Sequence, residues 1–241
     1  SERAIGTSVD PNSLGGLLLM IGALIGPQIA TRKPLFRRWV TWGIAGLVFV
    51  ALILTFSRGA MLGLAAGLGF VALARYRRLI PYMLVAALLL LVLPITQAYI
   101  ARFLEGFQGD DLATQMRFGE YKDALRLVAR YPLFGVGFAG SPDIDLYTAV
   151  ASVYFTIAGR MGLFGLLAFF GVVGTVFAYA FRHRHVFHPV RSEALQRGGG
   201  EEERAKARDY ERRDAVWLGL HAALVGALVA GVFDHYLFNM D

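Results

Sequence analysis

Six apolar runs, separated by short basic or polar turns, make up most of the chain: Leu14 to Ala30, Val40 to Phe56, Ala60 to Ala74, Leu79 to Ile95, Met161 to Phe181 and Ala215 to Phe233. Each approaches the roughly 20 residues that a helix needs to cross the hydrocarbon core of a bilayer. In lipid the backbone must satisfy its own hydrogen bonds, which leaves the helix as the available form for runs like these. The pattern predicts an all-α fold, a polytopic membrane helix bundle of about six transmembrane helices forming one domain over 1–241. An apolar stretch from Thr148 to Ala158 precedes the fifth run and predicts a helical lead-in to it. Asn12 or Ser13 can cap the first helix, and Pro27 can bend its exit. Gly63 and Gly67 stand in the small-xxx-small spacing that permits close helix contact.

One long stretch, about 96–147, breaks the pattern. Within it Arg117, Tyr121, Ala124 and Val128 recur at helical spacing, predicting an amphipathic helix from about Gln115 to Arg130 that lies near the membrane surface. Gly135-Val136-Gly137-Phe138-Ala139-Gly140 matches a G-x-G-x-x-G pattern. It follows Pro132-Leu133-Phe134 rather than a strand, so a dinucleotide site is rejected in favour of a tight turn back to the membrane. The stretch 182–214 contains Gly198-Gly199-Gly200 and then a solvated helix from Glu201 to Arg213, with Glu202 and Lys206 at i,i+4.

Composition agrees with the pattern, since 56% of the 241 residues are hydrophobic and 17% charged. The net charge of +6 raises the question of nucleic acid. The basic residues, however, sit in short loops between apolar runs, so no nucleic-acid partner is expected. Sixteen of the 24 Lys and Arg residues fall in the loops 31–39, 75–78 and 182–214, whereas the stretch 96–147 is net negative. Positive-inside logic puts those three loops in the cytoplasm, with Arg58, the 96–147 loop, Arg160 and Asp234-His235 facing outward. A multi-pass membrane protein is therefore expected. No cysteine is present, which excludes disulfides and thiolate metal sites. The chain opens on Ser-Glu-Arg and closes just after an apolar run, the pattern expected of a fragment of a longer membrane protein.

Candidate chemistry gathers on the outward side. Arg58 interrupts two apolar helices, where an arginine deep in the bilayer would cost about 2.5 to 3.5 kcal/mol. It reads either as a headgroup anchor or as a binder of a lipid-linked phosphate. Arg117 and Tyr121 fall together on the amphipathic helix, with Arg117–Glu120 or Asp123–Arg126 ion pairs as the structural alternative. Asp234 beside His235 offers a general base near neutral pH. His221 reads as a hydrogen-bonded structural group inside the bundle. Gly109-Asp110-Asp111 reads as a cap, and His183, His185 and His188 are flanked by arginines that repel a cation; no metal or other cofactor is expected.

The chain resembles the O-antigen ligase family and its relatives, the O-antigen polymerases. The resemblance rests on Thr55-Phe56-Ser57-Arg58-Gly59-Ala60 opening a span, on Arg117-x-x-x-Tyr121-x-x-Ala124, and on Pro132-Leu133-Phe134-Gly135-Val136-Gly137 ahead of Gly162-Leu163-Phe164-Gly165. Asp10-Pro11-Asn12 resembles the family's asparagine-rich approach to a span. The resemblance implies further N-terminal spans and a glycosyltransferase that moves a glycan from undecaprenyl diphosphate to an acceptor hydroxyl on lipid A-core or a similar glycolipid. Arg58 and Arg117 would hold the diphosphate bidentately, without a metal. Arg160, Tyr121, Tyr154 and Arg130 are expected to bind substrate. The family's His-Asn-x-Tyr segment reads Ala151-Ser152-Val153-Tyr154 here, and arginine (Arg160) stands where the family has glutamate. With alanine in place of the family's histidine, His235 and Asp234 become the candidates for the activating base. A polymerase, a transporter or flippase of lipid-linked sugar, and a non-catalytic scaffold are the competing readings.

Overall fold

A computed structural model describes residues 11–31, 34–92, 112–138, 152–182 and 201–233. Seven α-helices lie among the described residues: α1 (Pro11–Ala30), α2 (Arg38–Thr55), α3 (Arg58–Ala74), α4 (Ile80–Val92), α5 (Leu112–Arg130), α6 (Val153–Arg182) and α7 (Glu201–Ala230). A 3-10 turn, Arg77–Leu79, leads into α4. No strand occurs among these residues. Helices α1, α2 and α6, and α7 from Asp209 onward, are long and apolar enough to cross a bilayer, and α3 is a shorter apolar helix. The expected all-α membrane bundle is therefore the observed fold.

Two boundary expectations change. Asn12 and Ser13 lie inside α1, behind Pro11, and so do not stand ahead of the helix as caps. The polar segment from Glu201 and the apolar run that follows it form one continuous helix, α7. Asp110, Asp111, His183, His185 and His188 lie outside the described residues.

The chain divides into two compact units, Ser1–Ile80 with Val176–Ala230, and Pro81–Thr175 with Gly231–Asp241. In the first, α1, α3 and α7 pack on one another and α2 packs on α1. Lipid tails are as apolar as leucine, so helices in a membrane associate through close packing rather than through escape from water. The α3–α7 seam shows how close: a Cβ on Gly63 would lie 2.5 Å from the Gly226 carbonyl oxygen, and one on Gly67 would lie 2.6 Å from that of Ala222. Leu19, Leu52, Ala60, Leu218 and Ala222 fill the interior. Trp39, Trp42, Leu47 and Val50 on α2 point outward, an arrangement that water would penalise and lipid favours.

The α2–α3 connection is built by its own side chains. Phe56 takes a left-handed conformation (φ 53), which stops α2. The Thr55 hydroxyl donates to the Leu52 carbonyl at 2.7 Å and accepts from the Ser57 amide at 3.2 Å. Ser57 then caps α3, its hydroxyl accepting from the Ala60 amide at 3.4 Å. Arg58 becomes the first residue of α3 as a result.

Polar groups close the opposite end of α3. Arg75 and Asp214 pair at 3.1 Å with side chains about 10% exposed, and the Gln28 side-chain oxygen accepts from the Leu35 amide at 3.1 Å. Burial holds the Tyr76 phenol above its ordinary value of 10.0; the Arg75 charge opposes that rise, and Glu211 adds to it. His221 is buried as expected, its Nδ1 2.7 Å from the Trp217 carbonyl and its ring against Phe177 and Trp217.

Gly63→Val must force α3 and α7 apart, and a loss of at least about 2 kcal/mol is expected from such overpacking. Thermal unfolding in detergent, compared with Ala65→Val on an exposed position of α3, checks it. Because the folded state holds the Tyr76 proton more tightly than the unfolded chain, this stabilisation is complete below pH 10.0 and is lost as pH rises through the folded value. Tyr76→Phe should accordingly flatten the alkaline fall in melting temperature.

Candidate functional site

The second unit is organised by a break in α6. Gly162 has φ 69 and ψ −171, which no helix contains, so α6 consists of a lead-in arm, 153–161, and a long arm, 163–182. The predicted helical lead-in is thus observed. The Tyr154 ring stacks on that of Phe170 at 5.6 Å and meets Phe169 edge-on at 6.2 Å. Residues 16 apart on a straight helix would be about 24 Å apart. The two arms therefore fold back on each other in a V, with Gly162 at its point.

Breaking a helix orphans the last carbonyls of one arm and the first amides of the other. The 131–138 loop satisfies both. The Val136 amide donates to the Gly159 carbonyl at 2.9 Å and the Gly137 amide to the Arg160 carbonyl at 2.8 Å. In return the Leu163 amide donates to the Pro132 carbonyl at 2.8 Å and the Phe164 amide to the Leu133 carbonyl at 3.3 Å. Such approach leaves no room for side chains on two residues. A Cβ on Gly135 (φ 66) would lie 2.5 Å from the Arg160 carbonyl carbon, and one on Gly162 would strike the Leu133 carbonyl. The G-x-G-x-x-G stretch, as far as it is described, is the expected tight turn.

Helix α5 enters this assembly through its apolar face. Ala124 and Leu127 are buried, with Leu127 rather than Val128 at the centre of the contact. A Cβ on Gly159 would lie 3.3 Å from Leu127 Cδ2, and the Tyr121 and Phe155 rings are 5.3 Å apart. The amphipathic face is thus covered at least partly by the lead-in arm. Asp123 and Arg126 form the expected ion pair at 3.1 Å, exposed enough to contribute little.

The residues that follow α7 come to the same place. The Tyr121 hydroxyl donates to the Val232 carbonyl at 3.2 Å. The Val153 amide and the Ser152 hydroxyl both donate to the Gly231 carbonyl, at 2.9 and 3.3 Å. Amides at a helix start thereby meet carbonyls at a helix end, each satisfying what the other lacks.

The expected site residues distribute as follows. Arg58 is half-buried at the head of α3 in the first unit. Tyr121, Arg130, Tyr154 and Arg160 belong to the second. The Arg160 guanidinium lies 5.8 Å from the Phe138 ring centre, and that of Arg130 lies 5.9 Å from the Tyr131 ring centre. Arg117 stands one turn before Tyr121 on α5, its side chain outside the described set. Asp234 and His235 lie outside the described residues, beyond Val232 and Phe233 in the chain. Sequence reasoning missed the roles of Ser152, Gly231 and Val232, since two of these act through backbone atoms that carry no compositional signal.

The family model described as O-Antigen ligase matches residues 34–170, more than half of the chain. The chain belongs to the O-antigen ligase family. The matched region runs from the approach to α2 to the far side of the α6 break, taking in Arg58, Arg117, Tyr121, Arg130, Tyr154 and Arg160. A search of curated proteins gives no match. As a member of this ligase and polymerase family, the protein is a multi-pass membrane protein of the glycan-transferring type.

Gly137 is also left-handed (φ 81), yet nothing lies within 4 Å of a Cβ built there. Gly137→Ala should therefore cost only the left-handed conformation, about 1 to 2 kcal/mol, whereas Gly135→Ala should also undock the loop. Hydrogen exchange at the Val136 and Gly137 amides measures the difference: protection persists in the first variant and disappears in the second.

Proposed function

We propose that this family member transfers a glycan from undecaprenyl diphosphate to the hydroxyl of a lipid or glycolipid acceptor on the extracytoplasmic face of the inner membrane. In that reaction the acceptor oxygen attacks the anomeric carbon, and the bond from that carbon to the diphosphate oxygen breaks. The diphosphate leaves with the electron pair, while a base takes the acceptor proton. The protein must neutralise a concentrated negative charge at a membrane surface and accept one proton.

The observation that carries this reading is the placement of Arg58. As the first residue of α3, directly behind the Ser57 cap, it stands at the positive end of the helix macrodipole, where an anionic ligand is favoured. Arg117 supplies the second charge, and Arg160 and Arg130 add to the positive character of the substrate region. Tyr121, with its hydroxyl given to the Val232 carbonyl, and Tyr154, with its ring stacked on Phe170, serve the site by positioning chain segments. Asp234 or His235, a few residues beyond Val232, takes the acceptor proton. A polymerase differs from this scheme only in using a second lipid-linked glycan as acceptor.

Arg58→Ala and Arg117→Ala in the full-length protein should each lower transfer at least about 100-fold, the scale of losing a charge-stabilising group for a leaving group, with membrane expression intact. Release of undecaprenyl diphosphate from reconstituted protein, donor and acceptor is the measurement. Near-normal release from both variants would defeat the reading.

A further inference from the structure

We infer that the point of the α6 V, formed by the helix break and the loop docked on it, is a membrane-interface anchor that seats among phospholipid headgroups. The long arm fixes its depth. Residues 163–182 are 20 in number and apolar until Arg182, and at 1.5 Å per residue they span about 30 Å, the thickness of the hydrocarbon core. With Arg182 at one boundary, Leu163 lies at the other, and the docked loop lies level with it.

Surface chemistry at the point agrees with that depth. Phe138 is 68% exposed, Phe134 74%, and Leu133 and Phe164 54% each. Three bulky apolar side chains turned outward from one tight turn, with Phe164 at the adjoining start of the long arm, are unfavourable in water and favourable against acyl chains. The Arg160 guanidinium over the Phe138 ring sets a cation beside the apolar group, the pairing that suits the boundary between lipid phosphates and hydrocarbon. The occupant of this surface is the bilayer itself. Through the four backbone hydrogen bonds described above, the anchor holds the loop that directly follows α5, and with it the level of α5 relative to the headgroups. The inference rests on the spanning arm and does not depend on the proposed reaction.

Depth-dependent fluorescence quenching tests it. Every tryptophan of the full-length protein, Trp39, Trp42 and Trp217 included, is replaced by Phe, and Phe138→Trp is introduced as the sole tryptophan. The protein is reconstituted in phosphatidylcholine vesicles containing phosphatidylglycerol. Lipids brominated near the headgroup end of the chain should reduce emission by about twofold or more, and lipids brominated near the methyl end should do so less. Glu201→Trp, exposed at the polar start of α7, should respond to aqueous acrylamide instead. Phe134→Trp provides a second reporter should the first variant fail to fold. Quenching by acrylamide alone would put the loop in water, and quenching by neither agent would put it under protein; either result overturns the anchor.

Discussion

The exchange of backbone hydrogen bonds at Gly162 is the constraint on which the second unit depends. A helix interrupted in or beside a membrane leaves amides and carbonyls that lipid cannot satisfy, each costing several kcal/mol. Here the orphaned carbonyls of Gly159 and Arg160 and the orphaned amides of Leu163 and Phe164 are all taken up by four residues of one loop, Pro132, Leu133, Val136 and Gly137. The loop and the break are therefore a single structural element, and neither is stable in this form without the other.

Consequences spread outward from that element. The V brings Tyr154 against Phe169 and Phe170 and turns Val153 and Ser152 toward the Gly231 carbonyl. The lead-in arm then presents Phe155 and Gly159 to Tyr121 and Leu127, which fixes α5 and the helical position of Arg117. A charged residue is placed, in this scheme, by a chain of contacts made largely of glycine and main-chain atoms.

The first unit solves a different problem with different means. Its helices need no interruption, so their association rests on surfaces small enough for backbones to touch, at Gly63, Gly67, Ala222 and Gly226. Apart from the buried His221, the polar groups described for it gather at its ends: Thr55 and Ser57 at the α2–α3 connection, Arg75, Tyr76 and Asp214 at the other. Arg58 is held at the start of α3 by a left-handed Phe56 and a serine cap.

The apolar runs determined by themselves that this chain is an all-α membrane protein, because twenty apolar residues in lipid have one way to satisfy their backbone. The small-residue spacing on α3 and the motif around Arg58 were likewise legible, being local patterns of side-chain size and type. The amphipathic period of α5 announced a face but not what covers it, since periodicity records that a surface is apolar and not whether lipid or another helix meets it. Tertiary structure alone decided that the loop after Pro132 docks on a helix break some twenty-five residues further on, and that Tyr121 reaches a carbonyl beyond α7. Those contacts are made by main-chain atoms, which are the same at every position and so leave no trace in the order of side chains.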